Sequence, residues 1–591
     1  MDRRKFIKLA GSVAAGALPT VRASAKASGG KTPDVPIYQW QPMEFRFKAV
    51  NHYDKPWSQI NLSADFSGPH GQRFHVHGFW DGDDVWAIRF SPTASGAWSY
   101  RVRCNMDDAG LQGHAGAFNV SPATGSNPLY RHGGFLGVAS DHHYLTYSDG
   151  TPFFWLGDTW WFCPSSLVPF NHSDHAGIPS MYKSLVNKRQ SQGFTIAQMA
   201  FIGSLGAHQD VSSFMNLLKG GTFDMAYWRK VDAYIQYANN AGIMPAVILD
   251  WHYLALPTYA LEQWKFLWHY FVARYGAYSV TWLVCGEYNS PHTDVAQVLA
   301  VGAYIKKCDP YKRAMSVHPW AYLGDKHQAW SQPWYNFIML QGAHGNSPGT
   351  VPPTYIYTQG WNYDKPVIEG EARYEFIRSF KTSDTRRAAW HAMQAGCCGY
   401  TYGANGLWYP TQGPDDKTFW KNWGESKPWW VAMNYVGAQQ MAYMKNFYGS
   451  ISWWKTQPRP GAVEMAINPD ASWERLDLGG RPPTYPFLGN SFQPLVRSDG
   501  DDLHIIWFPE GSGAKTAARL KLTHNTQPIR YHARWFNPRT GKSRKIVSSI
   551  PGIHGICPLP ARPDDYDWVL LLLRLETFNM LKPTHSKTAK Y

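Results

Sequence analysis

At 591 residues, with 44% hydrophobic and 16% aromatic residues against 17% charged ones, the chain has material for several packed domains, which excludes both a single small module and global disorder. The formal net charge of +14 suits an anionic partner such as nucleic acid, an anionic envelope or an acidic polymer, but charge speaks to partners and not to fold. Seven cysteines, at 104, 163, 285, 308, 397, 398 and 557, are odd in number and contain no C-x-x-C, so neither a zinc ribbon nor a dense disulfide framework is expected.

At the N-terminus, Asp2-Arg3-Arg4-Lys5-Phe6-Ile7-Lys8 precedes a mildly apolar stretch from Leu9 to Leu18, and Ala23-Ser24-Ala25 offers a small-residue cleavage site. This arrangement resembles a twin-arginine export signal over residues 1–25, and its apolar stretch is about half of the roughly 20 residues a membrane span needs. A periplasmic or extracellular protein is therefore expected. Removing Arg3, Arg4, Lys5, Lys8 and Arg22 together with Asp2 leaves the remainder basic. No later segment offers 18 uninterrupted apolar residues, so no integral membrane span is expected.

Residues 36–122 alternate apolar and polar with period two, as in Ile60, Leu62, Ala64 and Phe66, in Phe45, Phe47 and Ala49, and in Trp98, Tyr100, Val102 and Cys104. Turn signals such as Gly68-Pro69-His70-Gly71 separate these runs, and the spacing predicts an N-terminal β-sandwich. From 130 to 450 the texture changes to strand-length apolar runs alternating with helical periods. Eight runs stand out: Phe153 to Leu156, Phe194 to Ala200, Met244 to Leu249, Val280 to Cys285, Ala314 to Val317, Phe337 to Leu340, Val367 to Ile368 and Cys398 to Tyr402. One helix is predicted between Thr222 as cap and Gly242 as stop, another over Tyr259 to Tyr275, and a last one over Trp429 to Met444. Eight such repeats without a Gly-rich phosphate loop predict a (β/α)8 TIM barrel. Period two returns over 451–580, which predicts a second, C-terminal β-sandwich. The fold class is thus α/β, a barrel flanked by two sandwiches.

In such a barrel the reacting groups stand at the C-terminal ends of the strands. Glu287 follows the fourth run and Glu371 the seventh. Carboxylates from strands four and seven are expected to face each other across the mouth, and glycoside cleavage uses such a pair, one to protonate the leaving oxygen and one to attack or to activate water. A separation of roughly 5–5.5 Å would mean retention of configuration, and roughly 6.5–9.5 Å inversion. Glu369 competes with Glu371, because residues two apart on a strand share a face, and a deeper Glu369 would need a partner.

The other strand ends supply a candidate substrate cradle, since sugars present flat apolar faces edged with hydroxyls. It comprises Asp158, Trp160 and Trp161 after strand one, Asp250, Trp251 and His252 after three, His318 and Trp320 after five, Gln341 and His344 after six, and Tyr402 and Trp408 after eight. His75 and His77, with Asp81, Asp83 and Asp84 in the next turn, raise a metal reading, but no third ligand is fixed by spacing and no H-E-x-x-H occurs, so neither metal nor cofactor is expected. Nucleophilic Ser or Cys chemistry is not expected either, for want of a G-x-S-x-G elbow.

Four blocks in order, Phe153 to Trp161, Trp282 to Asn289, Pro366 to Glu375 (PVIEGEARYE) and Gly399 to Trp408, resemble the apiosidase-like (DUF4038) barrel family of bacterial glycoside hydrolases. The block Gly78 to Gly82, with Trp86, Arg89-Phe90 and Gly96-Ala97-Trp98, resembles the uncharacterised DUF5060 sandwich that often precedes such barrels, and Trp535 to Gly541 resembles a C-terminal sandwich named for collagen binding. The resemblance implies an exported carbohydrate hydrolase with Glu371 as nucleophile, favoured over Glu369, and Glu287 as proton donor, and it places Arg373 among the substrate-binding residues. A retaining mechanism is expected. Members resembling apiosidases tend to carry Gly-Asp where this chain has Gly286-Glu287, one methylene longer, which weakens any transfer of apiose specificity. The expected partner is a carbohydrate, with basic charge pointing to an acidic or plant cell-wall glycan such as pectin. The rival readings are a non-catalytic glycan-binding or adhesion protein and a lyase of uronate polymers. Nucleic acid is disfavoured, since the basic residues are dispersed and no binding motif occurs.

Overall fold

The computed structural model describes residues 36–201, 223–249, 260–291, 293–320, 328–342, 344, 363–413, 424, 426–466, 494–512, 516–523, 528–546 and 548–575, together with the strand segments 20–22 and 473–474. Asp250, Trp251, His252 and the expected cap Thr222 lie outside the described residues. Two compact units are distinguished, Met1–Met339 with Leu407–Thr411, and Leu340–Gly406 with Gln412–Tyr591.

The first unit opens with two facing four-stranded sheets. One holds Thr20–Arg22, Met43–Lys48, Val85–Phe90 and Phe79–Trp80 in that order, the other Arg73–His77, Leu62–Ser67, Gly96–Cys104 and Ala115–Val120. Along Gly96–Cys104 the side chains of Trp98, Tyr100 and Val102 are buried between exposed Ser99, Arg101 and Arg103, which is what period two demands of a sheet with one wet face. The core between the sheets is aromatic, built on Phe45, Phe66, Phe90, Trp98, Tyr100 and Phe118. Phe66 and Phe90 stack across the sheets with ring centroids 4.0 Å apart, and burying each such ring contributes about 1.5–3 kcal/mol.

Eight parallel strands form the barrel: β1 (Trp155–Trp160), β2 (Ile196–Ala200), β3 (Met244–Ile248), β4 (Thr281–Leu283), β5 (Met315–Ser316), β6 (Ile338–Leu340), β7 (Val367–Glu369) and β8 (Gly399–Tyr402). Their sheet order is β5-β4-β3-β2-β1-β8-β7-β6, which is the cyclic succession of a (β/α)8 barrel. On the remaining side Asn336 N donates to Met315 O at 2.9 Å and Ser316 Oγ to Phe337 O at 2.7 Å, so the sheet is nearly closed. Every residue of β1, β2 and β3 is buried, as expected of parallel strands with helices outside and packed side chains within. The helices are α1 (Met181–Ser191), α2 (Met225–Asn240), α3 (Leu261–Tyr275), α4 (Val295–Cys308), α5 (Thr382–Gln394) and α6 (Val436–Gly449).

Three local expectations are corrected. The first barrel strand is Trp155–Trp160 and not Phe153 to Leu156, because Pro152–Phe153 belongs to a small antiparallel sheet with Leu145–Thr146 and Gly137–Val138. The cap of α2 is Asp224, whose carboxylate accepts from Ala226 N and Tyr227 N, while Gly242 at φ +76° does provide the left-handed exit. The helix expected over Trp429 to Met444 is broken at residues 433–435 into Trp429–Ala432 and α6.

In the second unit, a sheet ordered Gln457–Pro458, Leu495–Asp499, Leu503–Phe508, Trp568–Arg574, Ile529–Phe536 and Ser543–Lys545, with Ile550–Gly552 also paired to Ile529–Phe536, faces a four-stranded sheet. The core between them includes Ile506, Phe508, Leu520, Tyr531, Trp535, Leu570 and Leu572. The other face of the larger sheet lies on α5, which is why Trp568–Arg574 is apolar on both faces. Arg386 grips Asp567 with two hydrogen bonds of 2.7 and 2.9 Å, and Gln394 Nε2 donates to Leu495 O and Ile505 O.

Candidate active site

At the end of β4 the backbone stays zipped to β5 beyond the strands themselves. Val284 N donates to Ser316 O, His318 N to Cys285 O and Tyr288 N to His318 O, at 2.9, 2.9 and 3.0 Å, and Asn289 Oδ1 accepts from Trp320 N at 2.8 Å. Glu287 sits inside this lacing, half-buried, at φ +45°, a left-handed conformation uncommon for a residue with a side chain. Ser290 N donates to Glu287 O and closes the turn. Strain of this kind, of order 1–3 kcal/mol, persists only where the surroundings over-determine it, and it gathers at functional sites.

The end of β7 is organised by side chains. Gly370 N donates to Leu340 O at 2.8 Å, which draws the ends of β6 and β7 together. Glu369 is fully buried, and its Oε1 accepts from Gly342 N at 3.0 Å and from Glu371 N at 3.1 Å, so a charge that burial would forbid is met by backbone dipoles. Its charge, after burial itself, pushes up the Tyr400 hydroxyl and the Cys397 thiol. Glu371 is 6% exposed, and its Oε1 stands 3.0 Å from His344 Nε2. An ionised carboxylate only accepts, so His344 carries the proton on Nε2 when Glu371 is charged. The His344 ring in turn lies on Tyr374, with centroids 4.3 Å apart.

The comparisons bear on what these groups do. A family model described as "Apiosidase-like, catalytic domain" matches residues 139–455, more than half of the chain. The chain belongs to the apiosidase-like family. It is accordingly a glycoside hydrolase. A second model, the domain of unknown function DUF5060, matches residues 36–105. No curated protein matches the sequence. Among solved structures, a Bacteroides vulgatus protein assigned as a glycoside hydrolase is 18% identical, with a TM-score of 0.64 over 91% of this chain and 100% of its own. A glycoside hydrolase family 5 structure from the same organism is 18% identical, with a TM-score of 0.56 over 74% of this chain and 93% of its own. A third structure named as a glycoside hydrolase is 20% identical, with a TM-score of 0.57 over 77% of this chain and 99% of its own. At such identities the likeness speaks for the fold.

Within this apiosidase-like barrel the cradle predicted from sequence separates into two groups. Asp158 is inside β1 and Trp160 is its last residue. They lie within β1 on its outward face, where Asp158 Oδ2 accepts from Arg189 Nε of α1 at 2.6 Å and from Trp160 Nε1 at 2.8 Å, and all three residues are essentially unexposed. Tyr402 is likewise turned outward, its hydroxyl donating to Glu375 Oε2 at 2.5 Å. Both corrections follow from parity, since neighbouring residues of a strand face opposite sides. Trp161, of the opposite parity, meets the His318 ring edge-on at 5.4 Å. Trp320 and Gln341 are half-buried beyond the ends of β5 and β6, and Trp408 is buried near Phe162 and Tyr409. Arg373 is buried with its guanidinium over Phe380.

Two structural partners went unnoticed in the sequence of this hydrolase. Arg189 is one. The other is Glu375, which is fully buried, accepts from Thr382 Oγ1, Tyr402 and Gly437 N, and so serves the N-terminus of α6. A third glutamate in PVIEGEARYE, two positions past Arg373, was the available signal. Of the groups weighed for metal, Asp81 is engaged by Arg46 and Arg274 at 2.7 and 2.9 Å, Asp84 by Lys48 and His75 by Asp65. Among the described residues, His77 alone of these groups joins other potential ligands, His269 and Cys308.

Proposed function

We propose that this glycoside hydrolase is exported and cleaves a glycosidic bond in a poly- or oligosaccharide with retention of configuration. Glu371 attacks the anomeric carbon while Glu287, protonated, gives its proton to the departing oxygen as the C–O bond breaks. In the second step Glu287 removes a proton from water, the water oxygen bonds to the anomeric carbon, and the ester to Glu371 breaks. The observation that carries this reading is the buried contact between Glu371 and His344 at the end of β7. An N–H donated to a carboxylate favours its charged form and holds it in one orientation, and an attacking oxygen needs both. The half-buried turn of Glu287 suits a group that must exchange protons with solvent twice per cycle.

Trp161, His318, Trp320, Gln341, Arg373 and Trp408 are the residues proposed to hold the sugar. Asp250, Trp251 and His252 remain candidates from sequence. The basic net charge supports an acidic glycan, and the Arg3-Arg4 segment supports export. Among the described residues no helix is long and apolar enough to cross a membrane.

Incubation with plant, algal and bacterial polysaccharides, with products read by mass and by the anomeric proton signals at early times, tests the reading. A product that first appears with the anomeric configuration of the substrate supports it. First appearance of the opposite anomer overturns retention, and an unsaturated uronate product overturns hydrolysis of this substrate in favour of elimination.

A further inference from the structure

His77 leaves the strand Arg73–His77 on the side that faces the barrel helices, and there it meets His269 of α3 and Cys308 of α4. The two imidazole rings are 4.4 Å apart between centroids. His269 Nδ1 is 3.8 Å from Cys308 Sγ and 3.1 Å from the Tyr304 hydroxyl. One ligating atom from each of the three residues lies within 4.8 Å of the others. His77 Nδ1 is buried with no hydrogen-bond partner among the described residues. We propose that His77, His269 and Cys308 form a binding site for a single zinc-class cation that clips the N-terminal sandwich to helices α3 and α4.

The donor set is the first argument. Two imidazoles and one thiolate are ligands of borderline-soft cations, whereas calcium and magnesium demand oxygen. A tetrahedral zinc with nitrogen at about 2.0–2.1 Å and sulfur at about 2.3 Å keeps its ligand atoms roughly 3.3–3.7 Å apart, so a contraction of up to about 1–1.5 Å, within the reach of side-chain rotation, closes the site. The fourth position is left to water or to Tyr304. On binding, the thiol gives its proton to solvent as the metal–sulfur bond forms, and the charge of the cation itself holds the thiolate. Orphaned buried nitrogen is the second argument. An imidazole atom with no partner costs free energy that a cation would recover.

The test uses the full chain, stripped with a chelator and refilled with Zn2+ or Co2+. Expected are about one tightly held zinc per chain after gel filtration, a thiolate-to-cobalt charge-transfer band, and protection of Cys308 from alkylation by Zn2+, about tenfold or more, mapped by peptide mass. Cys308→Ser should abolish the band, and His269→Ala should weaken Zn2+ binding by about tenfold or more. Failure of the wild-type chain to retain zinc, or equal alkylation of Cys308 with and without Zn2+, overturns the proposal without recourse to any variant. Persistence of the cobalt band in Cys308→Ser overturns it too, since the thiolate would then be another of the seven.

Discussion

The ends of β4 and β7 each carry one of the proposed catalytic glutamates, and they are built on opposite plans. Glu371 is nearly sealed from solvent and is held through its side chain, by His344, with Glu369 beneath receiving its backbone N–H. Glu287 is half-exposed and is held through its backbone, in a left-handed turn laced to the end of β5. The difference matches two tasks. A nucleophile gains from a fixed oxygen and a stabilised charge, whereas a group that gives a proton and later takes one back has to remain reachable by water.

The largest effect expected from breaking this contrast is that of Glu371→Gln, which should lower kcat/KM by about 10⁴ or more, because no other group takes over the attack. Retention of near wild-type turnover by this variant would remove Glu371 from the chemistry and return the role to Glu369. Glu287→Gln should lose about 10²–10⁴ on natural glycosides. That loss should shrink on aryl glycosides whose leaving phenol needs no proton, and an equal loss on both substrate types would contradict the assignment of Glu287 as acid.

Asp158 sharpens the comparison from outside the site, as a buried carboxylate with no proposed part in the reaction. Asp158→Asn leaves the Arg189 charge buried beside a neutral amide and should cost about 3–5 kcal/mol in unfolding free energy, measured by denaturant titration. Its kcat should stay at the wild-type value below the melting range, and a large fall in kcat with unchanged stability would return Asp158 to the substrate cradle. The smallest effect is expected at His344. His344→Ala should reduce kcat about 10- to 100-fold, the equivalent of a hydrogen bond to a charged group. Loss of the donor destabilises the charged form of Glu371 and raises its pKa, so the acid limb of the rate profile should move to higher pH, and His344→Gln should restore part of both. An unchanged pH profile would make His344 a packing residue only.

Much of the fold was legible because its signals are local. Period two in Trp98, Tyr100 and Val102 marks a half-wet strand, and eight apolar runs spaced by helices mark a parallel barrel. The orientation of β1 was not legible. From Phe153 to Trp161 every residue is buried, and a strand buried on both faces carries no alternation to say which side is which. Sequence alone therefore places Asp158 and Trp160 at the mouth, and Tyr402 of the equally buried β8 with them, whereas their partners lie on the outer face. The contact of His344 with Glu371 spans 27 residues of sequence, and the meeting of His77 with His269 and Cys308 spans the boundary between sandwich and barrel.

What this sequence determined by itself was the succession of elements and the residue types available at strand ends, Glu287 and Glu371 among them, since both depend on neighbours a few positions apart in the chain. Only the tertiary structure decided which polar groups are spent on holding the protein together and which are left for a substrate. Arg189 claims Asp158, Glu375 claims Tyr402 and His344 reaches Glu371. A buried charge takes whichever partner folding brings within about 3 Å, and that choice is made by packing in three dimensions and leaves no mark on local composition.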